Sequence, residues 1–149
     1  MRNNYPNEGM SVIVKTITRF TVWLILFYGL YIVIHGHLSP GGGFAGGVIV
    51  ALSYVHLTLA YGKNFVMERT NRSIMHTLEA LGGLLYVLIG IVGLYLAGSF
   101  LANFLGVGKL YYLQSAGYIP ILNIIICIKV GMGLYLVFFY LASYKAKKG

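Results

Sequence analysis

The sequence predicts an all-α integral membrane protein with four transmembrane helices and a Gly-rich outer loop between the first two. Three observations carry that expectation. Hydrophobic residues make up 58% of the 149-residue chain and charged residues only 9%. Soluble domains carry about 25% charged residues, so this chain cannot cover a soluble surface and lipid must be its solvent. The apolar residues gather into long runs, with the basic residues between them. The first two runs are parted by H-G-H-L-S-P-G-G-G-F-A-G-G, His35 to Gly47. Proline lacks an N–H and clashes with the preceding helical turn, and three successive glycines favour almost any backbone over helix. Ser39 to Gly43 is therefore expected as a tight loop, with a new helix near Phe44.

The length suits one domain, read as a single membrane domain over 1–149 with spans at about 12–35, 44–62, 77–101 and 120–144. The net charge of +8 would suit nucleic acid, but the cations form no single patch. They fit topology signals and contacts for anionic lipid headgroups instead. Cys127 is the only cysteine, which excludes an internal disulfide and a Cys-based metal site. Its apolar run makes it a packing residue. The polar start M-R-N-N-Y-P-N-E-G precedes no clear small-residue cleavage site, so no cleavable signal is expected.

Taken in order, Ser11 suits the cap of the first helix. The uncharged run from Phe20 to Ile34 makes only about 22 Å of helix, short of the roughly 30 Å of a bilayer core. The helix therefore starts near Val12, with Lys15 and Arg19 snorkelling to the interface. The second span runs from Phe44 to about Tyr61, followed by a basic loop, Y-G-K-N-F-V-M-E-R-T-N-R-S. Asn71 or Ser73 should cap the third helix, which crosses from about Ala80 to Leu101. Gly90, Gly93 and Ala97 give that helix a narrow strip for a neighbour. The pattern weakens from Ala102 to Ile119, where Gly106, Gly108 and Gly117 break it and Tyr111, Tyr112 and Tyr118 suit the interface. A surface helix and a re-entrant piece both fit there. Pro120 suits the first turn of the fourth helix, which runs to about Tyr144.

Four spans put both termini and the middle loop on one side. That side holds Arg2, Lys15, Arg19, Lys63, Arg69, Arg72, Lys145, Lys147 and Lys148; the other holds only Lys109. The positive-inside rule makes the basic side cytoplasmic, giving a multi-pass protein of the cell membrane with both termini inside and the Gly-rich loop outside.

Glycines ahead of a helix also build phosphate loops, but those need a Lys followed by Ser or Thr and a preceding strand. Neither is present. Gly43 and Gly47, like Gly42 and Gly46, have the spacing that lets membrane helices approach closely, so a close-packed hairpin is the better reading. The same stretch carries a family resemblance. Gly36, His37, Pro40, Gly41, Gly42, Gly43, Phe44, Gly46 and Gly47, in the pattern G-H-x-x-P-G-G-G-F-x-G-G, resemble the hallmark of the B-type small membrane component of the Mrp-type multisubunit sodium/proton antiporters. Related subunits occur in archaeal energy-converting complexes such as membrane-bound hydrogenases. The resemblance implies an accessory subunit among other antiporter subunits, with ion exchange belonging mainly to larger ones. Bacterial antiporter members of that B-type family often carry an acidic residue in the last helix, where this chain reads I-K-V-G-M-G-L-Y-L-V-F. That departure leans toward the hydrogenase-type branch, with its redox subunits as further partners.

Few residues suit chemistry. Lys129 lies about 13 Å into the fourth helix, near mid-membrane, where a charge is costly and faces protein or a water-filled cavity. It is either a proton-pathway lysine, since burial favours its neutral form, or a structural lysine paired with a neighbouring subunit. Depth alone offers it no carboxylate in this chain. Glu79 shares a helix face with His76 and Arg72. It is read as a proton or cation entry point, or as a helix-start carboxylate stabilised by the helix dipole. His56 shares a face with Leu52 and Ser53 and is a packing histidine or part of a water-lined relay. His35 and His37 lack the three or four ligands zinc requires; a partner contact or pH sensing remains for them. With no nucleophile–base pair, Cys cluster or nucleotide loop, no catalysis, cofactor or metal is expected in this chain alone. The leading expectation is an accessory subunit of an Mrp-type cation/proton module within a hydrogenase-type respiratory complex. A stand-alone antiporter subunit and a small membrane scaffold are the alternatives.

Overall fold

The computed structural model describes residues 9–109, 112 and 115–146. Among the described residues five helices follow in order: α1 (Val12–Ile34), α2 (Gly42–Tyr61), α3 (Lys63–Arg69), α4 (Arg72–Ala97) and α5 (Ile119–Ala146). No strand occurs among the described residues. All but α3 are long and apolar enough to cross a membrane, and the chain is a multi-pass membrane protein.

Local chemistry sets most boundaries. The Ser11 hydroxyl accepts from Val14 N–H at 3.5 Å and opens α1. Gly41 and Gly42 hold φ of +138° and +65° at the start of α2, a region that side chains with a Cβ avoid. That helix begins two residues ahead of the expected Phe44. The basic loop is corrected too, because Lys63–Arg69 within it is helical. Its Val66 side chain is deeply buried and packs with Ala51, Met75, Tyr135 and Leu136, which ties the short helix to the core. Asn71 caps α4 by accepting from Ser73 N–H at 2.9 Å. Gly98, in the left-handed conformation, ends that helix after Ala97, four residues short of Leu101. Pro120 sits in the first turn of α5.

The helices pack in the order α1, α2, α5, α4, so α2 and α5 are central. The strip formed by Gly90 and Gly93 does not wait for another helix. The chain's own return covers it: Phe100 lies over Gly90, and the Ala102 backbone over Gly93. No helix occurs among the described residues between Ala102 and Tyr118. Tyr118 returns to the end of α4, its hydroxyl donating to Leu101 C=O and its ring stacked on Phe104.

One bundle end gathers the cations. Met10 N–H donates to Ala60 C=O at 3.0 Å, and Tyr61 Oη donates to Lys15 C=O at 3.1 Å. The start of α1 and the end of α2 therefore coincide. Lys63 and Arg72 both lie over the ring of Phe139, late in α5. Lys15, Arg19, Lys63, Arg69 and Arg72 thus fall toward this end, while Lys109 follows α4 on the return at the other. Arg2, Tyr111, Lys147 and Lys148, and the side chain of Lys145, lie outside the described residues.

Candidate functional site

Two seams along α5 hold most of the residues that the sequence singles out. The first joins α5 to the Gly-rich turn. Asn123, 8% exposed, sits in the second turn of α5 and reaches the start of α2. Its Oδ1 accepts from Gly43 N–H at 3.2 Å. A helix start leaves several N–H groups without intrahelical partners, and Gly41 offers no side chain to cap them. Asn123 therefore caps α2 from another helix. A Cβ on Gly43 would stand 2.3 Å from Asn123 O, and one on Gly47 2.9 Å from Cys127 O. On the other face of α2, a Cβ on Gly46 would meet Val33 and the Gly29 carbonyl. The motif glycines thus press α2 against α1 and α5 at once. His37 ties the turn to the return segment, with Nε2 3.2 Å from Tyr112 O.

The second seam joins α4 to α5, which run antiparallel. From the basic end inward, Arg72 lies over the Tyr140 ring at 4.5 Å, and His76 Nε2 is 2.9 Å from Tyr140 Oη. Glu79 Oε1 lies 3.1 Å from where a Cβ of Gly133 would stand. One turn further in, Lys129 lies along Gly82 and Gly83, its Cε 3.6 Å from a Cβ placed on Gly83. Lys129 is exposed and borders a groove of about 300 Å³ with Gly82, Gly83, Tyr86, Val87, Ile125, Ile126 and Val130. The sequence offers no carboxylate at the depth of Lys129, and the register sets Glu79 one turn toward the basic end. Glu79 faces Gly133, four residues from Lys129, or about 6 Å along the axis at 1.5 Å per residue. It is the eighth residue of α4 and not a helix-start carboxylate.

A model for the domain related to the MnhB subunit of Na+/H+ antiporters matches residues 13–136, which include both seams up to Gly133. The chain belongs to this family. An uncharacterized protein of Methanocaldococcus jannaschii is 34% identical over 128 residues, which is 82% of this chain and 48% of that protein. The putative antiporter subunit mnhB2 of Staphylococcus haemolyticus is 32% identical over 61% of this chain and 64% of its own length. Among solved structures, a chain of the membrane-bound sulfane sulfur reductase, an archaeal respiratory membrane complex, superposes with a TM-score of 0.67 at 32% identity. That match covers 90% of this chain and 59% of the other. This MnhB-related chain therefore spans about half to two thirds of the length of these relatives.

The remaining residues of the MnhB-related chain lie apart from the α4–α5 seam. His56 Nε2 is 2.9 Å from Thr21 Oγ1, which makes it a link between α2 and α1. The imidazole of His35 stacks on Tyr31 with ring centroids 4.2 Å apart. Cys127 is buried against Gly47. The seam therefore unites His76, Glu79 and Lys129 and leaves His56 out. Asn123 is the residue that sequence reasoning missed. Its signal was present, since an amide within an apolar span costs free energy unless it is bonded.

Proposed function

We propose that this chain is an accessory membrane subunit of an Mrp-type cation/proton antiporter module carried within a larger, redox-driven respiratory complex. The observation that carries the reading is the 32% identity and TM-score of 0.67 to a chain of an archaeal respiratory membrane complex, over 90% of this chain. In this reading its partners are antiporter-type subunits and the complex's redox subunits, and it carries no cofactor itself. The basic end faces the cytoplasm, so the Gly-rich turn faces outward. A second reading, a subunit of a stand-alone antiporter, draws on the likeness to the staphylococcal antiporter subunit.

Within the module, His76, Glu79 and Lys129 form a chain of ionisable groups along the α4–α5 seam. The groove leaves Lys129 open to a facing subunit. A charge at that depth requires solvation by protein or water, and Glu79, one turn away, supplies a carboxylate for it to reach. Protons or cations entering at the basic end would pass His76, then the Glu79 carboxylate, then the Lys129 amine. The seam is thus a half-channel that a neighbouring subunit completes.

The test uses the purified complex and everted membrane vesicles. Its subunit composition distinguishes the two assemblies: redox subunits co-purify in the first and antiporter subunits alone in the second. Glu79→Gln and Lys129→Met should each leave that composition intact and lower cation-dependent proton movement at least about tenfold, the change that 1.4 kcal/mol in a barrier produces. Lys129→Arg keeps the charge but can hardly release a proton, so it should fail as Met does. A structural ion pair would instead let Arg assemble and work while Met disrupts assembly. Full transport in all three variants would remove the seam from the ion route.

A further inference from the structure

At the basic end, two cations lie against one aromatic ring with no anion paired to either among the described residues. Lys63 Nζ, at the start of α3, lies 5.8 Å from the centroid of the Phe139 ring. The Arg72 guanidinium, at the start of α4, lies 5.1 Å from the same centroid and 4.5 Å from that of Tyr140. Neither cation is in an ion pair among the described residues. Cation–π contacts contribute only about 0.5–1 kcal/mol each where solvent reaches them, so the rings do not replace an anionic partner. The aromatic shelf itself is fixed. Phe139 is buried at 6% exposure, and the hydroxyl of Tyr140 is tied to His76 Nε2.

The surroundings indicate what neutralises the pair. His76, bonded to Tyr140, borders a groove of about 380 Å³ with Thr77, Ala80, Leu81 and Leu84, and Val137, three residues before Tyr140, is exposed, so apolar surface continues from the aromatic shelf toward the middle of the bundle. A ligand with an anionic head and an apolar tail meets both features. Arg supplies a planar fork that matches phosphate geometry, and Lys a compact point charge. A carboxylate from a partner protein would satisfy the charges but would leave this apolar strip uncovered.

We propose that Lys63 and Arg72, on the shelf of Phe139 and Tyr140, bind the phosphate of an anionic phospholipid whose tail lies along the exposed strip of α4 and α5. Each cation near an anionic lipid contributes on the order of fivefold in affinity, so losing both should cost on the order of twenty- to thirtyfold.

The chain, purified in mild detergent with the subunits that accompany it, is titrated with dioleoyl phosphatidylglycerol or dioleoyl phosphatidylcholine, and bound lipid is counted by native mass spectrometry. The wild type should retain one phosphatidylglycerol in clear preference to phosphatidylcholine. The double variant Lys63→Gln, Arg72→Gln should lose that preference, whereas Arg19→Gln, on α1, should keep it. Should the double variant fold poorly, the charge-preserving Lys63→Arg, Arg72→Lys pair, which must retain the lipid, and Phe139→Leu, which must weaken it, carry the test. An arm with inorganic phosphate separates the sources: a lipid site is not displaced by millimolar phosphate, and displacement would reassign the site to free phosphate and overturn the lipid. Equal retention of both lipids by the wild type, or undiminished preference in the double variant, would overturn the site itself. So would loss of a co-purifying subunit from the double variant with no change in lipid, which would mark a protein interface.

Discussion

The two seams of α5 use the same residue for opposite ends. On the α2 side, Gly43 and Gly47 bring backbone against backbone, with Cβ positions only 2.3 and 2.9 Å from α5 carbonyl oxygens. On the α4 side, Gly82 still meets the Lys129 Cβ and the Ile125 carbonyl, but Gly83, one residue on, leaves room for the end of the Lys129 side chain. The first seam is closed by an amide cap. The second is open, bordered by a groove of about 300 Å³. Small residues in a membrane helix therefore mark proximity, and the partner decides whether that proximity becomes tight packing or a polar passage.

Substitutions can break or sharpen that contrast. The largest expected effect is Gly43→Val. Because the obstructing atoms belong to the Asn123 backbone, no rotamer change relieves them, and the cost should exceed the roughly 3 kcal/mol typical of overpacking. Detergent-stable, monodisperse protein should all but vanish in fluorescence-detected size-exclusion chromatography. If Gly43→Val behaved like wild type there, the closed seam would be wrong.

Lys129→Met should show the opposite profile. Its melting temperature in detergent should stay within a few degrees of wild type, because the side chain is exposed, while cation-dependent proton movement falls at least about tenfold. A variant that lost stability in step with transport would make the open seam another packing surface.

An intermediate effect is expected for Asn123→Ala. Loss of a helix cap costs about 0.5–2 kcal/mol, read as a lower thermal midpoint. Asn123→Asp keeps the oxygen that accepts from Gly43 N–H and should recover part of the loss. Equal loss in both variants would locate the role of Asn123 in its amide nitrogen, a buried atom without a partner among the described residues.

The smallest effect belongs to Gly83→Ala. The added methyl would meet Lys129 Cε at 3.6 Å, an ordinary contact, so stability should change by less than about 0.5 kcal/mol, the range of unobstructed surface changes. Gly106→Ala, outside any helix and with nothing within 4 Å, is an unobstructed control. A large loss for Gly83→Ala alone would show that the α4–α5 seam is as tight as the α2–α5 one.

Much of the architecture was legible in the residues. Apolar runs follow from the cost of unpaired backbone groups in lipid, which makes a span visible without any knowledge of its neighbours. Breaks are equally local: Pro40 with Gly41, Gly42 and Gly43 ends one helix and starts another, and Asn71 caps a third. Boundaries failed where tertiary contact stepped in. Val66 drew part of the basic loop into a helix by burying itself, and the return at Phe100 and Ala102 occupied the Gly90 and Gly93 strip meant for another helix.

The site was legible only in its members. His76 and Glu79 share a face by their three-residue spacing, and the depth of Lys129 follows from counting after Pro120. Sequence order separates Glu79 from Lys129 by fifty residues, and no periodicity within either helix reports the register between them. Hydropathy, backbone restriction and capping act over a few residues, so the class of fold, its membrane spans and the family motif could be read from the chain alone. Tertiary structure was needed to show that Asn123 caps α2 from a distant helix and that Glu79 stands one turn from Lys129. Both depend on the relative shift of antiparallel helices, which is set by glycine contacts summed along the whole seam.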